Sequence, residues 1–161
     1  MAIPEFLRDL RETVGQRLLC LPGVNAVVLD DQQRVLLVRR SDDGRWTIVG
    51  GIPEPGEQPA QAMVREIHEE TAVRAVVERV VAVYAEPPIT YPHGDQVQFM
   101  STTFRCRAVG GEARVNDDES TEVGWFALDE LPPLSAQCVA RIKLALAGGP
   151  TWFEEPSLPP G

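Results

Sequence analysis

Cysteine is scarce in this chain and poorly placed for cross-links. Cys20, Cys106 and Cys138 are widely separated, odd in number and form no C-x-x-C pair, which excludes a disulfide framework and suits a reducing compartment. Basic charge is also short: 15 Lys and Arg face 24 Asp and Glu, for a net charge of −9. A protein that displaces counterions from a nucleic-acid polymer needs a basic face, so that partner is excluded. A phosphorylated small molecule is not, because a bound cation inverts the local charge. Long apolar runs are absent. No stretch approaches the roughly 20 residues of a membrane span, and Glu5, Arg8, Asp9, Arg11 and Glu12 stand where a secretory leader would be apolar. The expected setting is the cytoplasm, with no membrane partner.

Apolar residues themselves are not lacking: 43% of 161 residues is ordinary for a packed domain. The length leads us to expect one domain over residues 1–161. Residues 4–19 carry Phe6, Leu7, Leu10, Val14 and Leu18 at spacings of three and four, predicting an amphipathic helix that ends at Leu21-Pro22-Gly23. Strands are expected at 24–30 and 34–40, joined by an Asp30–Gln33 turn, with a short one at 46–49. Helix formers fill 59–71 behind Pro59, a residue suited to a first helical turn. Further strands are expected at 74–84, 96–109 and 122–128. The remaining segments read as a proline-rich loop at 86–95, a helical turn at 129–131, a last helix at 136–147 and an irregular tail at 148–161. Strands interleaved with few helices imply an α/β sandwich around a mixed sheet.

The segment 50–73, GGIPEPGEQPAQAMVREIHEETAV, holds the chemistry. At about 3.6 residues per turn, Glu66, Glu69 and Glu70 fall on one helix face. Three like charges that close repel, and a hard divalent cation with oxygen ligands relieves the repulsion. Glu57, at the helix entrance, adds a fourth carboxylate near the positive end of the helix dipole, and Arg65 can pair with one of them. An E-x-x-E-E cluster alone is more often a solvated acidic face; the glycine pair, the Pro/Gly loop and the Arg-Glu step set this one apart.

Gly51, five residues, Glu57, seven residues, then Arg65-Glu66-Ile67-His68-Glu69-Glu70-Thr71-Ala72-Val73 resembles the Nudix box, G-x5-E-x7-R-E-U-x-E-E-x-G-U with U a bulky aliphatic residue. The one departure is Ala72 in place of the late glycine. That glycine would supply a left-handed helix terminus, a conformation costing an alanine about 1 kcal/mol. The resemblance implies a Nudix-type α/β/α sandwich and a Mg²⁺-dependent hydrolase of MutT-like character, with Mn²⁺ as a substitute. It further implies that Glu66, Glu69, Glu70 and the Gly50 carbonyl bind metal, and that Glu57 and Arg65 orient them. Relatives often add a carboxylate from a distant loop, and Glu119, six residues before Trp125, is chosen here among Asp117, Asp118, Glu119 and Glu122. Glu70 or Glu119 would then be the general base. The substrate implied is a nucleoside triphosphate, nucleotide sugar or dinucleotide, cleaved at a pyrophosphate bond by a metal-activated water. A two-fold dimer is implied by analogy alone.

Candidate substrate contacts are Arg39 and Arg45 for phosphates, Trp46 and Tyr91 for a base, and Gln96 with Gln98, which share one strand face. Arg40 could reach the phosphates too, but an alternating exposed position accounts for it; Trp46 is as readily core, His93 reads as a turn residue and His68 as a solvated one. The alternative function is a catalytically weak nucleotide-binding or sensor module of the same fold; such proteins usually lack box glutamates, and all four are present. An isopentenyl diphosphate isomerase would need a cysteine placed otherwise than Cys20. A calcium-binding acidic helix would need neither the arginine nor the glycine loop.

Overall fold

A computed structural model describes residues 4–157. Its elements in chain order are α1 (Glu5–Val14), β1 (Leu19–Leu29), β2 (Val35–Arg40), β3 (Trp46–Thr47), β4 (Val49–Gly51), α2 (Pro59–Thr71), β5 (Arg74–Ala85), β6 (Ile89–Thr90), β7 (Gln96–Gly110), β8 (Ser120–Phe126) and α3 (Ala136–Ala147). The strands form one mixed sheet with the path β3-β2-β1-β7-β5, while β4 pairs with β1, β6 with β7 and β8 with β2. β1 and β7 run parallel, and the other pairings are antiparallel.

Alternation along β1 and β2 sorts the core into two layers. Val24, Ala26, Val28, Leu36 and Val38 face α2, where Ala62, Met63 and Ile67 complete a cluster. Val27, Leu29, Val35 and Leu37 face α3 and pack with Cys138, Ile142 and Ala145. A sheet covered on both faces reads as near-continuous apolar runs, as Ala26–Leu29 and Val35–Val38 do. Each fully buried Ile or Met on α2 contributes about 2 kcal/mol of burial. The architecture is the expected α/β/α sandwich. A third cluster seats Leu7 of α1 on Leu21, Ile52 and Val97.

Several boundaries differ from those expected. The first helix ends at Val14, with Gly15 turning at φ 62°, and β1 begins at Leu19 rather than Val24. Leu21-Pro22-Gly23, expected to end a helix, lies inside this strand because its parallel partner β7 runs alongside from Val97. Pro22 is tolerated because β4 joins the other side of β1 only at Val24. The expected 46–49 strand divides into β3 and β4, which pair with different neighbours. β8 begins two residues earlier than expected, and the proline-rich loop contains β6. In the tail, Trp152 bridges Ala82 of edge strand β5; residues 158–161 of that segment lie outside the described residues. Both long helices match their expected ranges. All three cysteines are free, and no described helix is long and apolar enough to cross a membrane.

Candidate functional site

The loop between β4 and α2 is fixed at its helical end by a capping box: Gln58 caps the helix, the Gln58 amide donates to Gln61 Oε1 at 3.3 Å, and Pro59 occupies the first turn. With Ala62, Met63 and Ile67 drawn into the core, the helix turns Glu66 and Glu70 toward β4 and leaves Glu69 further out, so the three stand at graded depth. Glu70 is 5% exposed, the Glu66 side chain 14% and the Glu69 side chain 53%. Arg65 binds three carboxylates at once. Its Nε and Nη2 donate to the two oxygens of Glu57 at 3.0 and 2.9 Å, and its Nη1 to Glu66 at 3.0 Å and Glu69 at 2.9 Å. The paired contact to Glu57 is the planar fork that guanidinium makes best, and it holds Glu57 below the usual carboxylate range.

The glycine pair has a steric reason on each face of β4. Gly51 pairs with Val24 on the α2 side, and the Glu66 side chain lies across it: a Cβ there would stand 2.6 Å from Glu66 Cγ and nearer still to its carboxyl. Gly50 faces the other way, where a Cβ would stand 3.2 Å from that of Asn25.

Negative charge is disfavoured here by burial and by like neighbours. Glu70 Oε1 is buried and has no hydrogen-bond partner among the described residues. Burial raises the Glu70 pKa to about 9, the charges of Glu119, Glu66 and Asp117 add to it, and the Gly50 backbone opposes it. Burial raises Glu66 to about 7 against the pull of Arg65, with Glu119 and Glu69 adding repulsion. An orphaned carboxylate oxygen among like charges, all donors being hard oxygens, fits a divalent cation. Among the described residues no three acidic, histidine or cysteine side chains are already converged on one point; Glu69 is turned toward Arg65.

Glu119, expected at the site by analogy with MutT-like enzymes, lies close enough for its charge to act on Glu66 and Glu70. Its carbonyl accepts from the Ser41 amide at 2.8 Å. The segment leading to it wraps the end of α2, with Arg114 and Asn116 amides donating to the Thr71 and Glu70 carbonyls at 3.1 and 3.2 Å. Ala72 terminates the helix at φ 58°, the left-handed state expected of the missing glycine. A cleft of about 330 Å³ opens between His68, Glu69 and residues 116–119. His68 is exposed, as a solvated position would be, and borders this cleft.

The structure thus brings together Gly50, Glu57, Arg65, Glu66, Glu69, Glu70 and Glu119. The expected substrate contacts are more dispersed. Arg39 is engaged by Glu122 at 2.5 Å and the Gly44 carbonyl at 2.9 Å, and the Arg45 side chain is 81% exposed. Trp46 is no free stacking surface, because its ring packs edge-on to Phe126 at 4.9 Å in the α3-side core. Tyr91 stacks on His93 at 5.6 Å. Gln96 is exposed, its carbonyl taken by Arg11, whereas Gln98 donates to the Glu86 carbonyl at 3.1 Å. Sequence reasoning missed a polar cluster on the α3 side. Asn25 accepts from Thr103 at 2.5 Å and donates to Tyr84 at 3.3 Å, Ser101 donates to Glu86 at 2.6 Å, and Arg141 lies over the Tyr84 ring. The available signal was an asparagine inside an apolar strand and two hydroxyls two residues apart on β7.

Comparison with known proteins gives a consistent result. The NUDIX domain family matches residues 21–144. A MutT-like protein of Streptomyces ambofaciens is 36% identical over 127 residues, 78% of this chain and 77% of that protein. A putative 8-oxo-dGTP diphosphatase of Bacillus subtilis is 34% identical over 110 residues, 68% of each chain. Among solved structures, a UDP-X diphosphatase superposes with a TM-score of 0.61 at 26% identity, covering 88% of this chain and 68% of that one.

Proposed function

The chain belongs to the Nudix family of hydrolases, and from that premise we propose that it is a Mg²⁺-dependent pyrophosphatase, with Mn²⁺ as a substitute, acting on a nucleoside triphosphate, a nucleotide sugar or a dinucleotide. The observation that carries this is the buried, unpartnered oxygen of Glu70 beside Glu66 and Glu119. The two relatives named for substrates, one a nucleoside triphosphate and the other a UDP conjugate, share a pyrophosphate linked to a nucleoside.

Glu66, Glu69, Glu70 and the Gly50 carbonyl would hold the cation. Bound there, it offsets the repulsion among the carboxylates, draws charge from the phosphate oxygens and lowers the pKa of a water. Arg65, braced by Glu57, keeps Glu66 and Glu69 in line. Water oxygen adds to phosphorus and the anhydride P–O bond breaks, while Glu70 or Glu119 accepts the proton that the water loses. Gly51 leaves room for the Glu66 side chain. Binding modules of this fold usually lack box glutamates, and Glu57, Glu66, Glu69 and Glu70 are all present, which favours catalysis.

The test is a screen of about fifty nucleotides and conjugates with Mg²⁺, reading phosphate after phosphatase coupling. Glu70→Gln should lower turnover on the best substrate by about a hundredfold or more while the protein stays folded. Turnover at the wild-type rate would remove Glu70 from the chemistry.

A further inference from the structure

The loop from Gly111 to Glu119 raises a physical question. It carries Asp117, Asp118 and Glu119 to the C-terminal end of α2, where Glu66, Glu69 and Glu70 already stand and where the helix dipole is negative. Like charges and dipole both push the loop away, so something must hold it.

We propose that Asn116 is a positioning residue: its side chain clasps the acidic loop to the end of α2 and so fixes where Asp117 and Glu119 stand relative to Glu66 and Glu70. This rests on the metal-assisted reading of the site given above.

Carbonyls in the last turn of a helix run short of partners within it. Here the Ala72 amide takes the His68 carbonyl at 2.9 Å, and the loop supplies donors to the Glu70 and Thr71 carbonyls and a second donor to His68. The Arg114 and Asn116 amides donate to the Thr71 and Glu70 carbonyls, and Asn116 Nδ2 donates to the His68 carbonyl at 3.1 Å. Asn116 therefore grips the last turn of the helix at two carbonyls, that of Glu70 with its backbone and that of His68 with its side chain. Arg114 Nη2 approaches Asn116 Oδ1 at 3.5 Å, which turns the amide so that its NH₂ faces the helix. Two flanking features keep the clasp short. Gly111, at φ 85°, lies against Ala72 and Val73 so closely that a Cβ would stand 3.1 Å from Val73 Cα and overlap the Ala72 carbonyl. Beyond the clasp, Asp117 Oδ1 accepts from the Glu119 amide at 3.0 Å, and the Glu119 carbonyl is tied to Ser41. Glu119 thus follows three residues after a fixed point. An amide side chain suits this place because it donates strongly and adds no charge to an acidic cluster.

The test uses Asn116→Ala and Asn116→Asp in the full chain, with Arg79→Ala as a stability control; Arg79 binds the Leu144 and Ala145 carbonyls at the far end of α3. Both Asn116 variants should lose about tenfold to a hundredfold in kcat with little change in KM, and bind Mn²⁺ more weakly by a similar factor in paramagnetic resonance titration without substrate. Amide exchange at Arg114 and Asn116 should speed up while Met63 and Ile67 stay protected. The Arg79 variant should lower Tm and leave kcat and Mn²⁺ affinity unmoved. Unchanged Mn²⁺ affinity and unchanged exchange in the Asn116 variants would overturn the proposal, as would equal losses in the Arg79 control. If the wild type cleaved no nucleotide while the variants still lost Mn²⁺ affinity and protection, the hydrolytic reading would fail and the clasp would stand.

Discussion

Replacing Gly51 with alanine separates function from folding unusually well. The added Cβ would stand 2.6 Å from Glu66 Cγ, against an ordinary carbon contact of about 3.5 Å. Its carboxyl stands nearer still, so Glu66 must retreat by at least about 1 Å. Because it is the far part of a flexible side chain that yields, and no backbone atom of another strand, the fold loses little: at most the Glu66–Arg65 hydrogen bond at 3.0 Å, about 1 kcal/mol. Function is less tolerant. A displacement of 1 Å in a group that positions reacting atoms costs about a hundredfold, or about 3 kcal/mol of transition-state stabilisation. The assay pairs steady-state kinetics at saturating Mg²⁺ with calorimetric unfolding. The expected result is a Tm within a few degrees of wild type and kcat/KM about a hundredfold lower. Activity within threefold of wild type would refute the steric argument, and so would a loss of activity explained by unfolding.

Two further outcomes follow from charge and capping. The folded pKa of Glu70, about 9, lies above the ordinary carboxyl value of 4.5, so this group favours the fold most below pH 4.5 and progressively less as pH rises toward 9. Without divalent cations, stability should fall by about 3 kcal/mol between pH 4.5 and 7 through Glu70, with Glu66 acting in the same direction, and Mg²⁺ should restore much of it at pH 8. Thermal denaturation in chelator and in Mg²⁺ across that range checks this, and a flat chelator profile would contradict the strained carboxylate. Ser135→Ala removes the cap whose Oγ accepts from the Cys138 amide at 3.1 Å, costing about 1 kcal/mol or roughly 2–4 °C in Tm. Activity per folded molecule should be unchanged.

The helix 59–71, the last helix and the α/β sandwich were legible because each rests on local information: helix formers behind a proline at the first turn, apolar periodicity, strands interleaved with few helices. The box residues were legible as well, since fixed spacings on one loop and helix carry Glu57, Arg65, Glu66, Glu69 and Glu70 to one place whatever the rest of the chain does. Contacts between distant segments were not legible. Pro22 looked like a helix stop because the β7 partner that makes it part of a strand lies about 80 residues away. Trp46 looked available for stacking because nothing near it in sequence announces Phe126. The sequence by itself determined which carboxylates share a helix face; only the tertiary structure decided how deeply each is buried, that Gly51 makes way for Glu66, and that Asn116 secures Glu119 nearby. Spacing along a chain sets direction, whereas burial, steric room and electrostatic strain depend on what packs against a group from elsewhere.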